Sequence, residues 1–416
     1  MFGLFNRKRK FRSLPQTLLT DSAGATNDSF GYSVSLSGDG NTAIVGAQAD
    51  DGFLNTNQGS ATIYTRSGAM WAQQQTITLS DGGTGDRFGW SVALSSDGNT
   101  AIIGAPYDNI GGNAGQGSAT IFTRSSSTWT EQIKITHPSG TANSNFGFGV
   151  AISDDGLRVA VGRVTQVGVQ LPSVRIYFYN GSSWVFEQEL TTPTDDDSSS
   201  STGFGTSVAF NNTANTLIVG ANEWDGGSGA GNDNTGAAII YTRSGTTWSL
   251  QATLKASGPT LSAGGKFGQC VALSGDGNLA LIGAPYEYVN PYYQQGTATV
   301  YTRSGSTWTK ETTLLNDSGS YVYFGNGVAL SNDGNTALIG AFEDATIGSA
   351  SVFTRFNGVW TKQIKLFNSL NTGSSTGSFG ISVSLSNDGR IALIGDDTIA
   401  VGATTGQGSA KVIYRR

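Results

Sequence analysis

Residue types capable of covalent chemistry are scarce in this sequence. It holds one cysteine, Cys270, and one histidine, His137, which precedes a proline far from the cysteine along the chain. A thiol or hydroxyl nucleophile needs a base within hydrogen-bond reach, and nothing in the sequence pairs these two. No phosphate-binding loop or cluster of metal-ligating residues supplies another chemistry. The densest acidic runs are Asp50-Asp51 and Asp195-Asp196-Asp197, both expected to be solvated loops. The residues therefore point to binding and not to catalysis, with no cofactor and no metal.

The elements that would carry a binding surface follow from self-similarity. Phe-Gly pairs begin at Phe30, Phe88, Phe146, Phe204, Phe267, Phe324 and Phe379, separated by 58, 58, 58, 63, 57 and 55 residues. A glycine follows each Phe at an interval of 16: Gly46, Gly104, Gly162, Gly220, Gly283, Gly340 and Gly395. An invariant interval means a rigid unit that tolerates no insertion. Within it, Ser91-Val-Ala-Leu94 reads as a strand, Asp97-Gly98-Asn99 as a tight turn, and Thr100 to Gly104 as a more apolar returning strand. The Asp-Gly turn recurs at Asp39, Asp155, Asp276, Asp333 and Asp388, while the fourth copy has Thr213-Ala214. A third strand such as Gly59 to Arg66 and a Trp-bearing fourth strand complete the copy, with Trp71, Trp129, Trp184, Trp248, Trp308 and Trp360. Four antiparallel strands repeated seven times predict an all-β fold, a seven-bladed β-propeller.

The seventh copy stops at Tyr414-Arg415-Arg416 without its Trp strand, and the segment from Phe11 to Thr20 precedes the first Phe-Gly by the same 19 residues as Trp248 and Trp360 precede theirs. The N-terminal strand should therefore complete the last blade and remove its open edge. Residues 11–416 then form one propeller and residues 1–10 a separate leader.

Composition agrees. The 416 residues include 59 Gly and only 13% charged side chains, which suits short strands and tight turns over helices. Twenty Phe, 14 Tyr and 8 Trp supply core bulk in large pieces. No apolar run is long enough to span a membrane. Net charge is −6, and setting aside Arg7, Lys8, Arg9, Lys10 and Arg12 leaves a body at −11, which argues against nucleic-acid binding. In the opening Met-Phe-Gly-Leu-Phe-Asn the apolar residues are too few and precede the cations, unlike a secretory signal.

The Phe-Gly pairs, the Gly-Ala-Pro runs at 104–106 and 283–285, the Gly-Ser-Ala-Thr-Ile-Tyr-Thr-Arg strand and the Trp hairpin resemble the FG-GAP repeat family. That resemblance spans residues 11–416 and implies an architecture similar to the propeller of integrin α-chains. It also implies a test for calcium, because integrin-type repeats often carry Asp-x-Asp-x-Asp-Gly loops between strands one and two. Here the loop has shrunk to Ser-x-Asp-Gly-Asn, and one carboxylate cannot supply the six to eight oxygens calcium takes.

Position three after each Phe is always small (Ser33, Ser91, Gly149, Ser207, Cys270, Gly327, Ser382), as crowding about an axis requires, so Cys270 reads as a filler. Arg66, Arg124, Arg243, Arg303 and Arg355 each stand five residues before a Trp and are expected to pack across the hairpin; a ring of anion-binding arginines is the alternative. Loops between strands two and three vary most in length, and they open on the same face as the loops joining blades. One adjacent pair is aromatic: Tyr286, Tyr288, Tyr292 and Tyr293 in blade five, with Tyr321 and Tyr323 leading into blade six. Such a cluster either contacts sugar or protein, or packs the two loops together. In the leader, Phe2, Leu4 and Phe5 precede Arg7, Lys8, Arg9 and Lys10, a docking peptide for a partner subunit, the alternative being a solvated tail. A structural and recognition protein on a virus or phage particle, held there by its leader, fits these features best. A cell-surface or secreted lectin-like adhesin binding glycans is the alternative.

Overall fold

The computed structural model describes residues 16–52, 55–165, 171–193, 202–225, 234–256, 264–317, 319–368 and 377–415. They form seven four-stranded antiparallel sheets, each ordered from the axis outward. Blade one consists of Phe30–Leu36, Thr42–Ala47, Ser60–Ser67 and Met70–Ile77. The other sheets repeat this plan, with one exception in chain order. Blade seven takes its outer strand, Gln16–Leu19, from the beginning of the chain, paired antiparallel with Ser409–Tyr414 from Gln16↔Ile413 to Leu19↔Ala410. The expected closure is present.

Seven apolar clusters hold the ring, one between each pair of neighbouring blades. Ile44 and Ile63 of blade one pack with Phe88, Ile103 and Trp129 of blade two, and Leu19, Leu393 and Val412 of blade seven pack with Phe30 and Val45 of blade one. The seven Phe side chains of the Phe-Gly pairs are 0–1% exposed. Five of them meet a strand-three aromatic of their own blade at 6.2–6.4 Å between ring centroids, as Phe30 meets Tyr64.

The invariant interval has a steric cause. A Cβ on Gly46 of blade one would collide with the carbonyl oxygen of Gly89, the Phe-Gly glycine of blade two. The same encounter recurs round the ring to Gly395 of blade seven against Gly31 of blade one. Gly89 itself has φ +87 and abuts the Ser60 carbonyl, so it needs both a left-handed backbone and no side chain. Each glycine of the repeat thus serves the neighbouring blade. Small residues at position three add a bond to the same place: Ser33 Oγ donates to Gly89 O at 2.8 Å, and Ser382 Oγ to Gly31 O at 2.8 Å.

On one face, called the bottom, the strand one–two turns are bonded to one another. Gly38 N–H donates to Ser96 O at 2.9 Å, Ser96 N–H to Asp154 O at 3.0 Å, and Asn387 N–H to Gly38 O at 2.8 Å. Asn332 and Asn387 also reach the Asp154 carboxyl. The opposite, top face carries the loops between strands two and three and those joining blades.

Candidate binding face

The two tyrosine loops are adjacent and bonded. Tyr321 N–H donates to Tyr293 O at 2.7 Å, Tyr323 N–H to Gln294 O at 3.1 Å, and Tyr323 Oη to Gln294 Oε1 at 2.9 Å. Tyr286 meets Tyr323 edge-on at 5.1 Å, and Tyr323 stacks on Phe342 of blade six at 4.9 Å. Tyr288 leans on Tyr293 at 5.1 Å. Tyr293 is 63% exposed and Tyr321 55%, and Tyr292 is half-buried. Tyr286 and Tyr323 therefore cement the loops, while Tyr293 and Tyr321 present their rings outward.

A second aromatic group was not anticipated. The residue two after each Phe points to the top mouth of the axial channel: Tyr32, Trp90 and Phe148 in blades one to three, then Thr206, Gln269 and Asn326, then Ile381. Tyr32 and Trp90 lie 4.9 Å apart and Trp90 and Phe148 5.1 Å, with Tyr107 against Trp90 at 5.6 Å. The Arg87 guanidinium covers Tyr107 at 5.0 Å. One side of the mouth is thus aromatic and the other carries amides and a hydroxyl. The channel below has a volume of about 370 Å³. Beside it, over blades two to five, lies a cleft of about 440 Å³ that includes Tyr107, Phe148, Asn222, Glu223, Lys266, Gln269 and Tyr286.

Sequence reading missed this cleft because it looked for variation in loop length. The signal lay in one column of the fixed block. At position two after Phe the copies read Tyr, Trp, Phe, Thr, Gln, Asn and Ile, between neighbours that scarcely change.

The residues weighed for catalysis lie in different blades, Cys270 in strand one of blade five and His137 just after strand four of blade two. Cys270 lines the axial channel, where burial pushes its thiol pKa up. His137 is 4% exposed, with Nε2 2.9 Å from Glu189 Oε1 and Nδ1 3.2 Å from Arg163. Burial holds its pKa down, Arg163 adds to that, and Glu189 opposes it. Arg175 completes the group at 2.9 Å from Glu189. The Asp-Gly turns commit their carboxylates to themselves: Asp39 accepts from Ser37 Oγ at 2.7 Å, Asn41 N at 2.8 Å and Asn41 Nδ2 at 2.7 Å. Burial alone would raise the Asp39 pKa, but these bonds and Arg66 hold it low. Among the described residues no group of three or more His, Cys, Asp or Glu is placed to hold a metal ion; Asp195 to Asp197 lie outside them.

All five arginines pair across the hairpin with their Trp. Arg124, Arg243 and Arg303 cover the indole at 5.5–5.8 Å, a contact worth about 0.5–1 kcal/mol where exposed. Arg66 covers Tyr414 of the neighbouring blade at 5.4 Å instead, and Arg355 is held by Glu311. The leader residues Phe2, Leu4, Phe5, Arg7, Lys8, Arg9 and Lys10 lie outside the described residues. No helix among those described is long and apolar enough to cross a membrane.

No curated protein matches the sequence. Residues 15–64, 71–122, 129–173 and 308–353 match the FG-GAP repeat family, in blades that share their strand order and interblade glycines with the rest of the ring. The protein is a seven-bladed β-propeller that carries FG-GAP repeats in these four segments.

Proposed function

We propose that this FG-GAP propeller is a non-enzymatic recognition module that binds its target with the top face and is carried on a larger particle by residues 1–10. The observation behind this reading is the difference between the two faces. The bottom turns satisfy one another, whereas the top mouth gathers half-buried aromatic and amide side chains. The first described residue, Gln16, pairs with Ile413 toward the bottom end of blade seven. A partner gripping the preceding residues would leave the top face free. A virus or phage particle is the assembly this arrangement suits, since such a particle needs a fixed end and a displayed end.

The test is removal of residues 1–10. The truncated propeller should melt within a degree or two of the full chain yet fail to join its particle, as read by co-sedimentation. Salt should weaken attachment of the full chain without abolishing it, because Phe2, Leu4 and Phe5 contribute an unscreened apolar component. Normal assembly of the truncated protein, with target binding abolished by Tyr288→Ala and Tyr292→Ala, would replace this reading with a lectin-like adhesin of the cell surface.

A further inference from the structure

We propose that the cleft over blades two to five is a binding site for a neutral saccharide. This rests on the reading of the top face as the recognition face and names the site and ligand class within it.

The lining has two chemistries in the arrangement a sugar ring requires. Tyr107, Phe148 and Tyr286 supply aromatic surface, suited to the C–H face of a pyranose. Asn145, Thr206, Asn222 and Gln269 supply amides and a hydroxyl, suited to the ring's hydroxyl groups. Three of these polar groups are already oriented by protein. Thr206 Oγ1 donates to Gly203 O at 2.7 Å and lies 3.1 Å from Asn222 Oδ1, and Asn222 Nδ2 donates to Gln269 Oε1 at 2.7 Å. That chain leaves the N–H groups of the half-buried Gln269 amide available as donors at the mouth. Oriented donors lose little freedom on binding, which is how a small polar ligand gains affinity.

Charge selects against ionic ligands. The cleft contains one carboxylate and one ammonium, Glu223 and Lys266, 3.7 Å apart. Lys266 also lies 5.5 Å from the Tyr286 ring centre. Within the lining the pair cancels, so the cleft's own residues offer a phosphate or sulfate no net positive charge and a cation no net negative one. A purely apolar ligand would strand the amides. A neutral polyhydroxylated ligand satisfies both constraints, and about 440 Å³ lies within the ordinary span of small-molecule sites.

The experiment uses the full chain on an array of neutral and sulfated glycans, followed by tryptophan-fluorescence titration with lactose, maltotriose, cellobiose and chitobiose. At least one neutral saccharide should bind, with affinity unchanged by 0.5 M sodium chloride. Gln269→Ala and Asn222→Ala should each weaken it about tenfold or more, with melting temperatures held as a control on folding. Tyr293→Ala, outside the cleft, should leave it unchanged. If no neutral saccharide binds, or if only sulfated glycans bind and salt abolishes it, the ligand class is wrong. If saccharide binding survives Gln269→Ala but is lost in Tyr293→Ala, the site is wrong while the recognition face stands. Target attachment insensitive to every top-face variant would sink the parent reading instead.

Discussion

Blades one and two share the repeat pattern but differ in strand four, and one of those differences sets the charge of a buried junction. In blade two Lys134, opposite Thr120, reaches Asp108 at 2.6 Å and Asp81 at 2.8 Å. In blade one Thr76, opposite Thr62, stands in its place. The corresponding acid, Asp50, has its pKa pushed up to about 6, first by burial and further by Asp28, Asp21 and Asp51, with a bond from Ser60 opposing. Other blades fill this junction with different compensating pairs: Lys365 with Asp344, and Arg175 with Glu189. The backbone fixes a polar slot behind each top loop, and the sequence is free to choose its charges only as a set. Blade one shows what happens when the acid is kept and the cation is not.

The largest effect that could break this comparison is Lys134→Met. Asp108 is 2% exposed, and stripping a buried ion pair of one partner typically costs about 3–5 kcal/mol. Asp86 should suffer too, since burial and Asp108 already raise its pKa to about 6 while Lys134 opposes them. Denaturant unfolding at pH 7 should show the loss, and it should shrink near pH 4 as the acids take up protons. An unchanged midpoint would mean that Lys134 is ornamental.

The reverse change, Thr76→Lys, should sharpen the comparison. A cation among Asp21, Asp28 and Asp50 should stabilise blade one by about 1 kcal/mol and bring the Asp50 titration, followed by NMR, down toward the usual carboxylate range. A third case is the odd turn of blade four. Ala214 is left-handed at φ +47 where other blades place glycine, so Ala214→Gly should gain about 0.5–1 kcal/mol. Destabilisation would show that the methyl packs better than its backbone strain costs.

The smallest effect is Asp50→Asn. An acid with a raised folded pKa contributes stability below its unfolded value near 3.8 and loses it as pH rises through about 6. The variant should therefore melt like the parent at pH 4 and higher by on the order of a degree at pH 8. A gain at pH 4 as well would point to packing and not to charge.

Much of this molecule was readable before any coordinates. Phe30 and Gly46 gave the blade count and the rigid block, because an interval set by backbone contact between blades survives in sequence as a fixed number. The arginine–tryptophan pairing was also readable, since both residues sit on one hairpin. The cleft was not. Asn145, Asn222 and Lys266 come from three different copies, and only ring geometry makes them neighbours. Their types also vary from blade to blade, so the repeat that revealed the fold hid the site. The junction of Asp50 and Lys134 was invisible for the same reason: it combines strand ends and loops whose proximity depends on sheet order.

The pairing of strand Gln16–Leu19 with blade seven has a mechanical consequence. The strand runs from the bottom of blade seven, antiparallel to Ser409–Tyr414. If the residues before Gln16 are held and the top face is pulled away, tension runs along this strand and loads its hydrogen bonds together, in shear. If the two chain ends are pulled apart, both forces act at the same end of the pair, and the bonds break in succession like a zipper. The same pairing is therefore a strong seam for a tethered, target-bound propeller and a weak one for a chain drawn by its termini.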